Sequence, residues 1–196
     1  MAVPSPSAPG KSDLRAEGLR RRREFASSLT PDLRATLESE LAQIVFPYLA
    51  GARVVGAYHP LRDEISPYPL LSLLDGAQRI GLPWFAERDA GMIWREAPAV
   101  EASPWGVLQP LAGAEALAPD VVLVPIVLAD RRGTRIGHGK GHYDRALAHL
   151  GESLSTPVLT IGLAWESQIS DEPIPADPWD MRLDAIATPK EWISCA

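Results

Sequence analysis

The stretch from Val121 to Gly151 constrains the fold of this chain more than any other. A long apolar run, Val121 to Leu128, precedes the glycine-rich string Arg135-Ile136-Gly137-His138-Gly139-Lys140-Gly141-His142-Tyr143-Asp144-Arg145. Tyr143, Ala146, Leu147 and Leu150 then follow at helical spacing, with Gly151 as the expected stop. An apolar run without polar alternation is what a central strand buried on both faces requires, here Val121 to Val127. Strand, glycine turn and helix start together form the layout of a phosphate cradle. Glycine lets the backbone approach an anion, and a helix N-terminus offers free N–H groups and positive potential. Lys140 adds a mobile charge. The string is neither a P-loop, because Gly141 stands where Ser or Thr is needed, nor the dinucleotide pattern G-x-G-x-x-G. The competing reading is a tight turn whose glycines only satisfy positive φ angles.

The rest of the chain supplies alternating partners for that strand. Lys11 to Ser28 has a charged, helical composition. Thr30-Pro31-Asp32 reads as N-cap, first-turn proline and first-turn acid, with Leu33, Leu37, Leu41, Ile44 and Tyr48 at helical spacing behind it. Strands are expected at Arg53–Tyr58, at Gln78–Leu82 ending before Pro83, at Met92–Trp94, at Pro157–Leu163 and, as the last, at Leu183–Ala187. Pro67–Leu74 reads as a helix and Ala97–Pro110 as a covering loop. Strands alternating with helices predict an α/β fold: a three-layer, mostly parallel open sheet with helices on both faces, in a single domain over 11–196. Residues 1–10 read as a disordered tail. Ligands in such folds collect at the carboxyl ends of strands. That rule selects His59–Glu64, Asp130–Tyr143 and Leu163–Gln168.

Bulk properties exclude several classes. A net charge of −6 argues against a general nucleic-acid binder. No apolar run approaches the roughly 20 residues of a membrane span, and the N-terminus lacks the pattern of a signal peptide, so a cytoplasmic protein is expected. Cys195 is the only cysteine, which rules out an internal disulfide, and it reads as an exposed thiol. The four histidines show no metal spacing. Arg20-Arg21-Arg22-Arg23 reads as a solvated helix face. Most of the six tryptophans belong to the core, the exception being Trp105 in its Pro/Gly-rich loop.

The glycine string, preceded by Val124-Pro125 and Asp130, resembles the signature of the 5-formyltetrahydrofolate cyclo-ligase family. The resemblance runs along nearly the whole chain. Lys11 with Leu14-Arg15 is similar to the family's N-terminal Lys-x-x-Leu-Arg. Tyr58-His59-Pro60 with Asp63-Glu64 is similar to its strand-end segment leading to a substrate glutamate, and Trp105-Gly106-Val107-Leu108-Gln109-Pro110 to its folate loop. Gly162-Leu163-Ala164 with Gln168, Pro175 and Asp180-Met181-Arg182-Leu183-Asp184 resembles its C-terminal block. The chain departs from the pattern at His142, where tyrosine is frequent, at His138, a variable position, and at Trp179, where many bacterial members carry histidine.

The resemblance implies an ATP-dependent enzyme that cyclises 5-formyltetrahydrofolate, with or without a polyglutamate tail, as a monomer without nucleic-acid or membrane partners. It implies Lys140 and Arg135 as catalytic groups. It assigns Lys11, Arg15, Arg135, Ile136, Gly137, His138, Gly139, Lys140, Gly141, His142 and Tyr143 to ATP. His59, Glu64, Trp105 and the string from His138 to Tyr143 are assigned to the folate. Mg²⁺ is expected on Asp144 and Asp180, with Asp184 as the alternative to Asp180.

Overall fold

The computed structural model describes residues 10–154 and 156–195, so the tail expected over 1–10 lies outside the described residues except for Gly10. In chain order the helices are α1 (Lys11–Ser28), α2 (Pro31–Val45), α3 (Tyr68–Leu71) and α4 (His142–Ser153). The strands are β1 (Val54–Gly56), β2 (Arg79–Trp84), β3 (Ile93–Glu96), β4 (Glu101–Ala102), β5 (Leu108–Gln109), β6 (Ala116–Leu117) and β7 (Val121–Pro125). They continue with β8 (Leu128–Asp130), β9 (Arg135–Ile136), β10 (Leu159–Leu163), β11 (Ile169–Ser170), β12 (Ala185–Ala187) and β13 (Trp192–Ser194).

Eight strands form the main sheet in the order β13-β12-β10-β7-β1-β2-β3-β6. The run from β12 to β2 is parallel, and antiparallel strands flank it at both edges. The expected α/β architecture with helices on both faces is what forms. Alternation along β7 shows why. Val121 and Leu123 join the cluster of Leu41 and Val45 from α2, while Val122 and Val124 join Ala146, Leu147 and Leu150 from α4. Successive side chains of a strand point to opposite faces, so a run apolar at every position must be covered twice.

Several boundaries differ from the sequence reading, each for a local reason. Pro83 does not end β2, which pairs with β3 as far as Trp84. β1 pairs with β2 only as far as Gly56 opposite Gly81, so the missing N–H of Pro83 falls where that side of the sheet is open. The expected covering loop contains the β4–β5 hairpin. The helix at Pro67–Leu74 shrinks to α3, and α4 runs through Gly151 to Ser153. The last strand is β13, not Leu183–Ala187. In α2 the buried residues are Glu38, Leu41, Ala42 and Val45, while Leu33 is exposed, and Tyr48, also exposed, lies in the turn Phe46–Leu49 beyond the helix end. Cys195 is half-buried, and burial first, then Asp130 and Asp184, pushes its thiol up to about 11.

α1 lies across the carboxyl end of the sheet, against β8, β9 and the turn Glu166–Gln168. Gly18 sets the approach, since a Cβ there would stand 2.8 Å from the Val127 carbonyl oxygen. Lys11, Arg15, Gly18 and Arg22 follow at alternating spacings of four and three and so share one helical face. That face is polar, yet it is turned toward the protein.

Candidate active site

The carboxyl ends of β1, β2 and β7 open into a cleft of about 1030 Å³. Tyr58 and His59 enter it from the end of β1, Pro83 and Phe85 from β2, and Pro125 from β7. Between β7 and α4 the chain makes the β8–β9 hairpin before it reaches the glycine string. Asp130 holds that excursion in shape. Its buried carboxylate accepts from the N–H groups of Arg132, Thr134 and Ile174 at 2.8–3.0 Å, and so also ties down the segment leading to the C-terminal block.

The string then crosses the cleft. Gly139 and Gly141 take φ of +84° and +64°, which L side chains rarely adopt, and Gly141 is the N-cap of α4. Gly137 is different, because a Cβ there would meet nothing within 4 Å. Packing therefore does not require glycine at 137, and close approach of a ligand to the backbone remains as its reason. This favours the anion cradle over the plain turn.

Bases gather around the string. Arg15 donates from Nε to the Gly137 carbonyl at 2.9 Å. Arg135 donates from Nη2 to Asp144 Oδ1 at 2.7 Å and from Nη1 to the Met181 carbonyl. Lys11 binds Asp177 at 2.6 Å and also Asp180. Burial would lower the Lys11 pKa, but its two carboxylates raise it above the ordinary value. Burial raises the Asp180 carboxyl, and Lys11, the Asp177 N–H and Arg135 more than reverse this. Lys140 is exposed, with Nζ 5.3 Å from the Trp105 ring centroid.

The other end of the cleft is aromatic. Trp105 and Phe85 meet His142 edge-on, at centroid distances of 5.5 and 4.8 Å. Burial first, then Arg145 and Lys140, lowers the His142 pKa, so its ring is neutral near pH 7 and joins the wall as an aromatic. Burial, with Glu64 adding to it against Arg135, raises the Tyr143 phenol far above its usual range and keeps it a donor. The Trp105 turn is fixed by Ser103 Oγ, which accepts from the Trp105 and Val107 N–H groups, and by Gly106 at φ +79°. His59 borders the cleft with Nδ1 2.6 Å from the Tyr68 hydroxyl.

Glu64 sits at the base, 4% exposed. Oε2 accepts from the Leu61 N–H at 2.9 Å; Oε1 lies 3.0 Å from Arg22 Nη1 and 3.5 Å from His138 Nε2. Burial raises this carboxyl, but His138, Arg22 and the Leu61 N–H outweigh it and hold the pKa below the ordinary value. The group is an anion that retains lone-pair capacity.

The cleft thus joins two environments, a glycine backbone ringed by cations and an aromatic slot ending in a buried carboxylate. It admits a polyanion beside a flat heteroaromatic. A divalent cation also fits. Both hydrogen bonds to Asp144 land on Oδ1, from Arg135 and the Met181 N–H, and both to Asp180 land on Oδ2. Each carboxylate keeps one oxygen outside the bonds formed among the described residues. Mg²⁺ needs one or two such oxygens, the rest coming from phosphate and water. No cluster of three His, Cys, Asp or Glu side chains suited to a metal occurs among the described residues.

All the residues singled out for ATP and folate border this cleft, with Asp144 and Asp180. Three expectations change. Asp184 is not at the site, because its Oδ2 accepts from the Thr160 N–H and hydroxyl at 2.7 Å, where it caps the start of β10. The Leu163–Gln168 segment props the floor and does not line the cleft: Trp165 is fully buried, and Gln168 donates to the Ile126 and Val127 carbonyls. Arg22 is not solvated, while Arg20 and Arg21 pair with Glu17 and Glu24 on the surface as expected. Phe85 and Asp177 were missed. The strand-end rule points to Phe85, and nothing in the spacing marks Asp177.

Comparison with known proteins finds relatives along nearly the whole chain. The profile described as "5-formyltetrahydrofolate cyclo-ligase family" matches residues 7–189. A 5-formyltetrahydrofolate cyclo-ligase of Mycolicibacterium smegmatis is 33% identical, with 93% of this chain and 95% of that protein covered. The Escherichia coli protein of the same name is 27% identical over 87% of this chain and 98% of its own length. The solved structure of Aquifex aeolicus 5,10-methenyltetrahydrofolate synthetase superposes with a TM-score of 0.69 at 25% identity, covering 94% of this chain and 92% of that one.

Proposed function

The chain belongs to the 5-formyltetrahydrofolate cyclo-ligase family, and from that premise we propose how its cleft carries out the ATP-dependent closure of 5-formyltetrahydrofolate to 5,10-methenyltetrahydrofolate. The observation that carries the reading is the junction of a cation-ringed glycine backbone and a carboxylate-ended aromatic slot within one cleft.

ATP is needed because the formyl oxygen is a poor leaving group. The formyl oxygen attacks the γ-phosphorus and ADP departs, with the N5 lone pair completing a phosphorylated iminium. N10 attacks the formyl carbon and loses its proton, and the C–O bond breaks to release phosphate. The protein positions groups and offsets charge, and forms no covalent bond. Backbone N–H groups from Gly137 to Gly141 hold phosphates, aided by Ile136 and by the N-terminus of α4. Lys11 and Arg15 grip the nucleotide. Arg135 and Lys140 face the transferred phosphoryl. Asp144 and Asp180 would hold Mg²⁺, which would neutralise phosphate charge when bound. Trp105, His142 and Tyr143 stack on and orient the pterin, His59 borders it, and Glu64 accepts from its amino-pyrimidine edge. The same reading has the protein act as a cytoplasmic monomer on 5-formyltetrahydrofolate with or without a polyglutamate tail. The cleft is lined by residues of one chain, and among the described residues no helix is long and apolar enough to cross a membrane.

The test is direct. Purified protein with ATP, Mg²⁺ and 5-formyltetrahydrofolate is expected to generate the near-ultraviolet absorbance of the methenyl product, and no increase would reject the reading. Glu64→Gln separates the two halves of the cleft. The amide replaces an acceptor oxygen with a donor NH₂. Calorimetry is expected to show folate binding weakened by about tenfold or more and ATP binding nearly unchanged, since a buried group left without its partner costs about 1–3 kcal/mol. Equal loss of both ligands would make Glu64 structural.

A further inference from the structure

Arg22 has no part in the reading above, yet it is the one buried cation of α1. Its side chain and that of Glu64 are each 5% exposed, and Nη1 lies 3.0 Å from Glu64 Oε1. Burying such a pair requires desolvating both ions, and apolar residues of like volume commonly serve packing as well or better. Helix packing alone therefore does not account for the arginine. The guanidinium points the same way. Only Nη1 forms hydrogen bonds, to Glu64 and to the Ile126 carbonyl, while Nε–H is buried without a partner among the described residues. An arginine serving as a structural staple fills its fork with acceptors. Here one nitrogen is shared between a carboxylate oxygen and the Ile126 carbonyl, while the Leu61 N–H fixes the other carboxylate oxygen.

We propose that Arg22 is a positioning residue for the folate: it holds Glu64 oriented toward the amino-pyrimidine edge without itself touching substrate. Arg22 does not border the cleft, so its effect must pass through Glu64. The proposal rests on the assignment of Glu64 to the folate. Without Arg22, Oε1 loses the contact that fixes it and turns toward His138 Nε2, 3.5 Å away, so that the carboxylate presents a different edge to the substrate.

Four variants test this: Arg22→Met, Arg22→Lys, Glu64→Gln and the double variant Arg22→Met with Glu64→Gln. Dissociation constants for 5-formyltetrahydrofolate and for ATP are measured separately, alongside kcat and KM. Arg22→Met is expected to weaken folate binding about tenfold and ATP binding less than about twofold, with Arg22→Lys recovering part of the loss. In the Glu64→Gln background Arg22→Met is expected to add less than about threefold, because residues acting through one contact are non-additive. The double variant buries no unpaired charge, so it remains informative where Arg22→Met alone unfolds. Full additivity in that background, or equal weakening of both ligands in Arg22→Lys, would overturn the proposal. Wild-type protein that binds both ligands without turnover would refute the cyclo-ligase reading, while the binding comparison would still decide the role of Arg22.

Discussion

Lys140→Ala is expected to lower turnover by on the order of a hundredfold or more, with little change in stability. Lys140 is the one lysine or arginine between Gly137 and Gly141, on a backbone held open by positive φ at Gly139 and Gly141. A donor aimed at charge that develops in the transition state contributes about 3–4 kcal/mol in sites of this kind. Lys140 is exposed and packs in no core cluster, so the fold does not depend on it. The loss is expected mainly in kcat. A smaller rise in KM for the folate accompanies it, because Nζ also sits over the Trp105 ring. Turnover within about threefold of wild type, well short of that scale, would remove Lys140 from the chemistry.

Asp144→Asn and Asp180→Asn are each expected to raise the Mg²⁺ concentration needed for half-maximal rate, on the order of tenfold or more, as losses of metal-site groups do. Two carboxylates beside a triphosphate repel it unless cations intervene. In the free protein Arg135 and Lys11 supply those cations, and each leaves one carboxylate oxygen available. The double variant is expected to lose less than the product of the single losses, since groups acting as a unit are non-additive. Titration of rate against Mg²⁺ at fixed ATP reads all three. An unchanged Mg²⁺ dependence in Asp180→Asn would assign that residue to Lys11 alone. Asp184 cannot then replace it, because it lies outside the cleft, beside Thr160 at the opposite end of β10.

The sequence made the architecture legible because β7 is apolar at every position and α4 follows a glycine turn, a combination that few arrangements bury. It made the cleft legible because the glycine string and the strand ends are contiguous in sequence. What escaped was set by tertiary context. A run of four arginines carries no periodicity that separates Arg22 from its neighbours, and Gly18 tilts the helix face so that Arg22 alone is buried. Pro83 within β2 broke a local rule that the short reach of β1 makes harmless. Asp184 and Asp180 look equivalent within the C-terminal block. Only the register of β12 beside β10 puts the first against Thr160 and leaves the second to Lys11.

The polar face that α1 turns inward carries a consequence for the whole molecule. Lys11, Arg15 and Arg22 contribute charge where a docked helix usually contributes methyl groups, and the apolar contacts of α1 reduce to Leu14, Leu19 and Phe25. Part of what keeps the helix seated thus belongs to whatever its cations hold. Thermodynamic reciprocity makes the exchange mutual: a nucleotide that prefers the seated helix fastens it, by about 2.7 kcal/mol at a hundredfold excess over its dissociation constant. Amide protons of 11–28 are then expected to exchange more slowly once ATP is added, by a larger factor than those of β7, with added salt narrowing the difference. On the proposed reading, ATP would add to the seating that Asp177, Asp180 and the Gly137 carbonyl already give this helix through Lys11 and Arg15.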